Sequence, residues 1–183
     1  MPTGRYKKKK NPKKKTAHLA VRQELSLELI TEYWNEYVEL IEAEEGSLKL
    51  MDQVLREQAE AMQFFREMGF MEASFLPIIL DSFVFPHYFF SQILRGRSFP
   101  KVNFNELSLA FTQKRMSLSD RLAAKDKGLG ESISSKPLSL FLLENLSGIE
   151  DYNSLSLEDE YLAICLVLTL AEFMEAAYKK VTK

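Results

Sequence analysis

Apolar residues recur at three- and four-residue steps along most of this chain, the period of helices that bury one face. Over residues 17–44 the repeat is Leu27, Ile30, Trp34, Tyr37, Val38 and Ile41. Opposite it, Glu24, Glu28, Glu32 and Glu36 form a four-residue ladder, extended by Glu39 and Glu42, which reads as a solvated face. Gly46 is expected to end this helix and Ser47 to cap the next. That second helix runs to Met68, with Met51, Leu55, Met62 and Phe65 inward, and stops at Gly69.

Residues 70–104 have a different texture. Ten of the 13 phenylalanines fall between Phe64 and Phe104, and Pro77, Pro86 and Pro100 divide the stretch. The pattern predicts two short helices, over 72–82 and 87–95, with Pro86 close to a helix start. They form the buried centre against which the longer helices pack. Asn103, three residues before Glu106, introduces a helix to about Lys127 with Leu107, Phe111, Leu118 and Leu122 inward. Gly128 and Gly130 terminate it, and residues 129–136 make a flexible loop by composition.

Ser135 and Pro137 suit the cap and first turn of a short helix ending near Gly148. Ser156 with Asp159 starts the last helix, over 157–180, whose middle is apolar on all sides and therefore central. No strand alternation, internal repeat or sustained heptad pattern is present. The fold class expected is all-α: one bundle of about six to seven helices over residues 17–183, preceded by a disordered polybasic arm over residues 1–16.

Charge sharpens that division. Residues 1–15 carry eight cations and no acid. Removing those eight from the 24 Lys and Arg leaves 16 cations against 26 acids, so the rest of the chain has a net charge of −10. A polycationic arm on an acidic body points to a polyanionic partner. Cys165 is the only cysteine, which excludes an intrachain disulfide and fits a reducing compartment. The expected location is cytoplasmic, or nuclear in a eukaryote. The basic start runs into no apolar leader segment. The apolar run 161–171 is too short for a bilayer that needs ~20 residues. Residues 70–94 are long enough but contain Glu72, Asp81, His87, Pro77 and Pro86, so a membrane span is not expected.

Catalytic constellations are missing. A carboxylate-bridged metal pair on helices normally also uses Glu-x-x-His, and the residues three before His18 and His87 are Lys15 and Val84. A zinc site fails on ligand supply. Cys165 lies in the apolar run Ala163-Ile164-Cys165-Leu166-Val167 and reads as an inert core thiol. Gly128-Leu129-Gly130 lacks the third glycine, the preceding strand and the Gly-Lys-Ser/Thr ending of phosphate loops. His87, beside Pro86 and Tyr88, reads as a hydrogen-bonded histidine near the core. The expectation is a non-enzymatic protein with no catalytic residue, metal or cofactor.

Two basic regions remain as candidate nucleic-acid contacts. The first is the arm: Arg5, Lys7, Lys8, Lys9, Lys10, Lys13, Lys14 and Lys15. Lysines without an apolar face engage phosphates without reading bases. The second is Lys114, Arg115, Arg121, Lys125, Lys127 and Lys136, of which Lys114, Arg121 and Lys125 fall on one helical face. Arg95, Arg97 and Lys101 lie in a loop that can join them. The function expected is a helical nucleic-acid-associated subunit of a nucleoprotein complex, with protein partners and with DNA and RNA equally open. The alternative is a helical adaptor that docks a protein through the aromatic 70–104 region or the acidic first helix. The arm would then act as a localisation signal or an electrostatic latch.

Overall fold

The computed structural model describes residues 25–72, 74–94, 99–123, 136–146, 148–149, 152 and 155–182. Among them the structure is all-helical, without a strand, as the periodicity predicts. Helix α1 is Leu27–Glu42, α2 is Glu44–Glu57 and α3 is Ala59–Glu67. A continuous helical stretch follows, made of α4 (Leu76–Ile79), a π-turn (Leu80–Val84) and α5 (Phe85–Ile93). Helices α6 (Phe104–Ala123), α7 (Pro137–Leu146) and α8 (Leu157–Val181) complete the bundle. Counting 76–93 as one rod, the described residues form seven helices.

Local chemistry sets most of the ends. Ser26 is extended and its hydroxyl accepts the Leu29 N–H at 3.2 Å, so α1 starts there; residues 17–24, over which the periodicity also predicts helix, lie outside the described residues. At the end of α3, Gly69 takes φ +78°. Its N–H reaches the Arg66 carbonyl at 3.2 Å, and the Phe70 N–H reaches Phe65 at 2.8 Å. Those two bonds are a Schellman ending, which needs a left-handed residue and uses glycine for it. Asn103 accepts the Glu106 N–H at 3.1 Å and Ser156 accepts that of Asp159 at 3.2 Å, so both predicted caps form. Pro137 opens α7, while Ser135 lies outside the described residues.

Three expectations are corrected. Gly46 and Ser47 lie inside α2, not at its boundary, because the chain turns at the single residue Ala43. A Cβ on Gly46 would stand 2.6 Å from the Leu40 carbonyl oxygen and 2.7 Å from Leu40 Cδ1. Glycine there permits close approach of two helices and does not end one. Second, the single helix expected to run to Met68 is broken at Gln58 into α2 and α3, and its inward face is not the one expected: Leu50, Val54, Ala61, Phe64 and Phe65 are buried, whereas Leu55 is 48 % exposed. Leu27, expected inward, is 43 % exposed at the start of α1.

Third, the two short helices expected over 72–82 and 87–95 run together as one helical stretch, although Pro86 does stand in the first turn of α5 as expected. A proline in a helix lacks an N–H and its ring crowds the carbonyl four residues back, here that of Ser82. The π-turn widens the backbone just before it, and the Phe85 N–H bonds the Leu80 carbonyl five residues away. The Tyr37 hydroxyl donates to the same carbonyl at 3.0 Å, pinning α1 to the turn.

Helix α8 is the hub. Residues 165–171 are buried without interruption, and the helix packs on α6, α7, α5 and the π-turn. It is the one described helix long and apolar enough to cross a membrane, yet 67 % of its apolar window is buried inside the fold. The phenylalanine-rich segment forms the rest of the core. Phe85 sits edge-on to Trp34 at 4.9 Å, Phe65 to Phe83 at 5.1 Å, and Phe90 stacks on Tyr178 at 5.0 Å. Such offset and edge contacts contribute about 0.5–1.5 kcal/mol each beyond area burial.

Candidate nucleic-acid interface

The outer face of α1 is an uncompensated acidic surface. Glu28, Glu32, Glu36, Glu39 and Glu42 are all exposed, and no Lys or Arg occurs from Leu27 to Gly46. The Tyr88 hydroxyl donates to Glu36 at 3.3 Å, tying the edge of this face to α5. A phosphate backbone is repelled here.

Of the second set of candidate cations, Lys114 and Arg115 stand on α6 and Lys136 at the start of α7, and the three have unequal surroundings. Lys114 bonds Glu172 of α8 at 2.7 Å, with side chains only 21 % and 30 % exposed. Its charge is neutralised where it stands. Lys136 is half-buried at the start of α7, near Glu175 of α8. Burial pushes the Glu175 carboxyl above its usual range, while Lys136, Lys179 and the Leu138 N–H pull it back. Glu175 thus faces the opening turn of α7, where carboxylates are favoured. Lys179 lies 3.9 Å from it.

Arg115 differs. It is exposed, and its guanidinium carbon stands 5.9 Å from the Phe111 ring centre. Its carbonyl accepts the Tyr161 hydroxyl, so α6 and α8 are joined at this residue. Thr112, Arg115, Met116, Ser119, Asp120 and Tyr161 line an open cavity of about 360 Å³ between the two helices. Arg121 belongs to α6, but its side chain lies outside the described residues. So do Lys125, Lys127, Arg95, Arg97 and every cation of the arm. Lys101 is exposed.

Sequence reading missed the counter-ions. Glu172 and Glu175 are acids at a three-residue step within the largely apolar middle of the last helix, residues 161–178, and an acid placed there needs a cation or a donor from a neighbour. That signal was present. It also missed a buried polar seam beside α5. Gln58, at the α2–α3 break, donates to the Pro100 carbonyl at 3.2 Å and accepts the Val102 N–H at 2.8 Å. His87 is fully buried, with Nε2 3.2 Å from a Glu57 carboxylate oxygen. Neither imidazole nitrogen makes a well-aligned hydrogen bond. The hydrogen-bonded histidine expected from the sequence is therefore not formed; burial outweighs the pull of the Glu57 charge and holds His87 below its ordinary value.

Cys165 is buried, and burial raises its thiol above the usual range despite Arg115 and Lys114 nearby. A raised thiol is a poor nucleophile at neutral pH. Among the described residues no three of His, Cys, Asp or Glu converge as metal ligands would. Compared with family models, curated proteins and solved structures, the chain gives no match.

Proposed function

We propose that this chain is a non-enzymatic, all-helical subunit of a nucleoprotein complex that holds a phosphate backbone through its basic N-terminal segment. The observation that carries the reading is charge segregation: eight cations and no acid in residues 1–15, against a net −10 over the rest. The exposed acids of α1 favour contact along restricted tracks. The track open to a nucleic acid is the arm together with Arg115 and the cations that follow it in sequence, Arg121, Lys125 and Lys127. Lys114 and Lys136 add less, because Glu172 and Glu175 already oppose their charge.

The test is the salt dependence of binding to a fluorescent duplex. If half the arm's eight cations engage phosphates, log K falls against log salt with a slope of about −4. Deleting residues 2–15 weakens binding and flattens that slope. Unchanged affinity and slope after the deletion overturn the reading.

A second reading is favoured by the acidic face of α1 alone. Because the rings of the 70–104 segment are largely core, an adaptor role would place its partner on that face, and the partner would be basic. Such binding survives deletion of residues 2–15 and is lost in the double variant Glu32→Lys, Glu36→Lys.

A further inference from the structure

The cavity between α6 and α8 is built from groups that suit a flat, polar-edged ligand. Met116 is 64 % exposed and, with the half-buried Tyr161, supplies apolar walls. The Tyr161 hydroxyl is already spent on the Arg115 carbonyl, which fixes the ring as a wall. The Thr112 hydroxyl donates to Ser108 at 2.9 Å, so it offers the cavity only acceptor lone pairs. Arg115, held over Phe111, supplies a planar guanidinium at the rim. Asp120 supplies a carboxylate, and neither Arg115 nor Asp120 forms an ion pair among the described residues. The volume, about 360 Å³, lies at the small end of ligand sites and admits one ring system.

We infer that this cavity receives a single unpaired nucleobase carrying an exocyclic amino group, and so directs the protein to single-stranded nucleic acid. The inference rests on the nucleic-acid reading above and deepens it. Unpaired bases are held by stacking on aromatic rings and guanidinium planes, contacts that a duplex denies. A carboxylate accepts from the amino group of cytosine, adenine or guanine and repels the carbonyl that uracil and thymine present instead.

The test uses the full chain labelled at its methionine methyls, with the Met116 signal assigned through Met116→Leu. AMP and CMP are expected to move that signal, UMP far less, and inorganic phosphate not at all; Met68 and Met71 stay fixed. A single-stranded oligonucleotide binds about tenfold tighter than the duplex, and Met116→Glu removes that preference. Asp120→Asn levels the response to AMP and UMP. A Met116 signal unmoved by every nucleotide, or moved equally by phosphate, overturns the inference. If arm-dependent, salt-sensitive binding persists in that case, the cavity alone has failed. If nucleotides move Met116 but deletion of residues 2–15 leaves polymer binding unchanged, the arm has failed and the cavity stands.

Discussion

Asp81 offers the sharpest test of the packing. It sits in the π-turn, half-buried, beside Tyr37 and without an ion-pair partner among the described residues. Burial raises its carboxyl from 3.8 to about 6. The sign follows from linkage. Below pH 3.8 the acid is neutral in both states, and its stability contribution is fully present. Between those limits the unfolded chain ionises while the fold holds its proton, so stability is lost as pH rises through about 6. At 1.36 kcal/mol per pH unit the full displacement is worth about 3 kcal/mol. Asp81 retains contact with water, so about 1–3 kcal/mol is the working range. Asp81→Asn has the same shape without the charge. We expect it to match the wild type near pH 4 and to exceed it by about 1–3 kcal/mol at pH 8. Urea denaturation at the two pH values measures the difference. A gap independent of pH would refute the assignment of Asp81 as an unpaired, poorly solvated acid.

Gly46→Ala separates close approach from helix propensity: in an open helix it adds up to about 1 kcal/mol, but here we expect a loss of about 1–3 kcal/mol, read as a lower Tm. A rise in Tm would mean that α1 and α2 separate freely at this corner. Gln58→Ala leaves the buried Val102 N–H and the Pro100 carbonyl without their partner, so we expect a loss of about 2–3 kcal/mol by denaturant titration. His87 is held below 6.5 by burial, so its contribution is present above that value and lost as pH falls below it. His87→Phe should therefore gain on the wild type between pH 7 and pH 5, and a constant difference would show that His87 is solvated. Lys114→Met should leave nucleic-acid affinity nearly unchanged while lowering Tm, because its partner Glu172 is left half-buried; a loss of affinity equal to that of Arg115→Ala would place Lys114 among the phosphate contacts.

Helix existence was legible because burial of one face imposes a period that no side-chain detail can hide. The central place of α8 was legible for the same reason, since an all-round apolar helix has nowhere else to go. Boundaries were legible where a side chain supplies the missing bond: Asn103, Ser156 and the left-handed Gly69 all act where the pattern put them. They were not legible where tertiary contact decides. Gly46 looks like a stop until Leu40 is seen against it, and nothing local distinguishes a terminating glycine from one that admits a neighbour. Pro86 looks like a boundary because its cost in a regular helix is large. The π-turn relieves that crowding, and its Leu80 carbonyl is bonded by Tyr37, 43 residues earlier in the chain.

The candidate site was legible as charge and illegible as availability. Counting cations along residues 114–136 treats Lys114, Arg115 and Lys136 alike, because a helical wheel records direction and not what stands opposite. In the fold, α8 brings Glu172 to Lys114 and Glu175 toward Lys136, while Arg115 keeps an exposed guanidinium. A cation already paired must give up that partner before it can serve a phosphate, and a half-buried carboxylate left behind costs more than an exposed one. Affinity should therefore follow the cations without internal counter-ions. On that ground Arg115→Ala is expected to weaken binding more than Lys114→Ala although the two residues are adjacent in the chain.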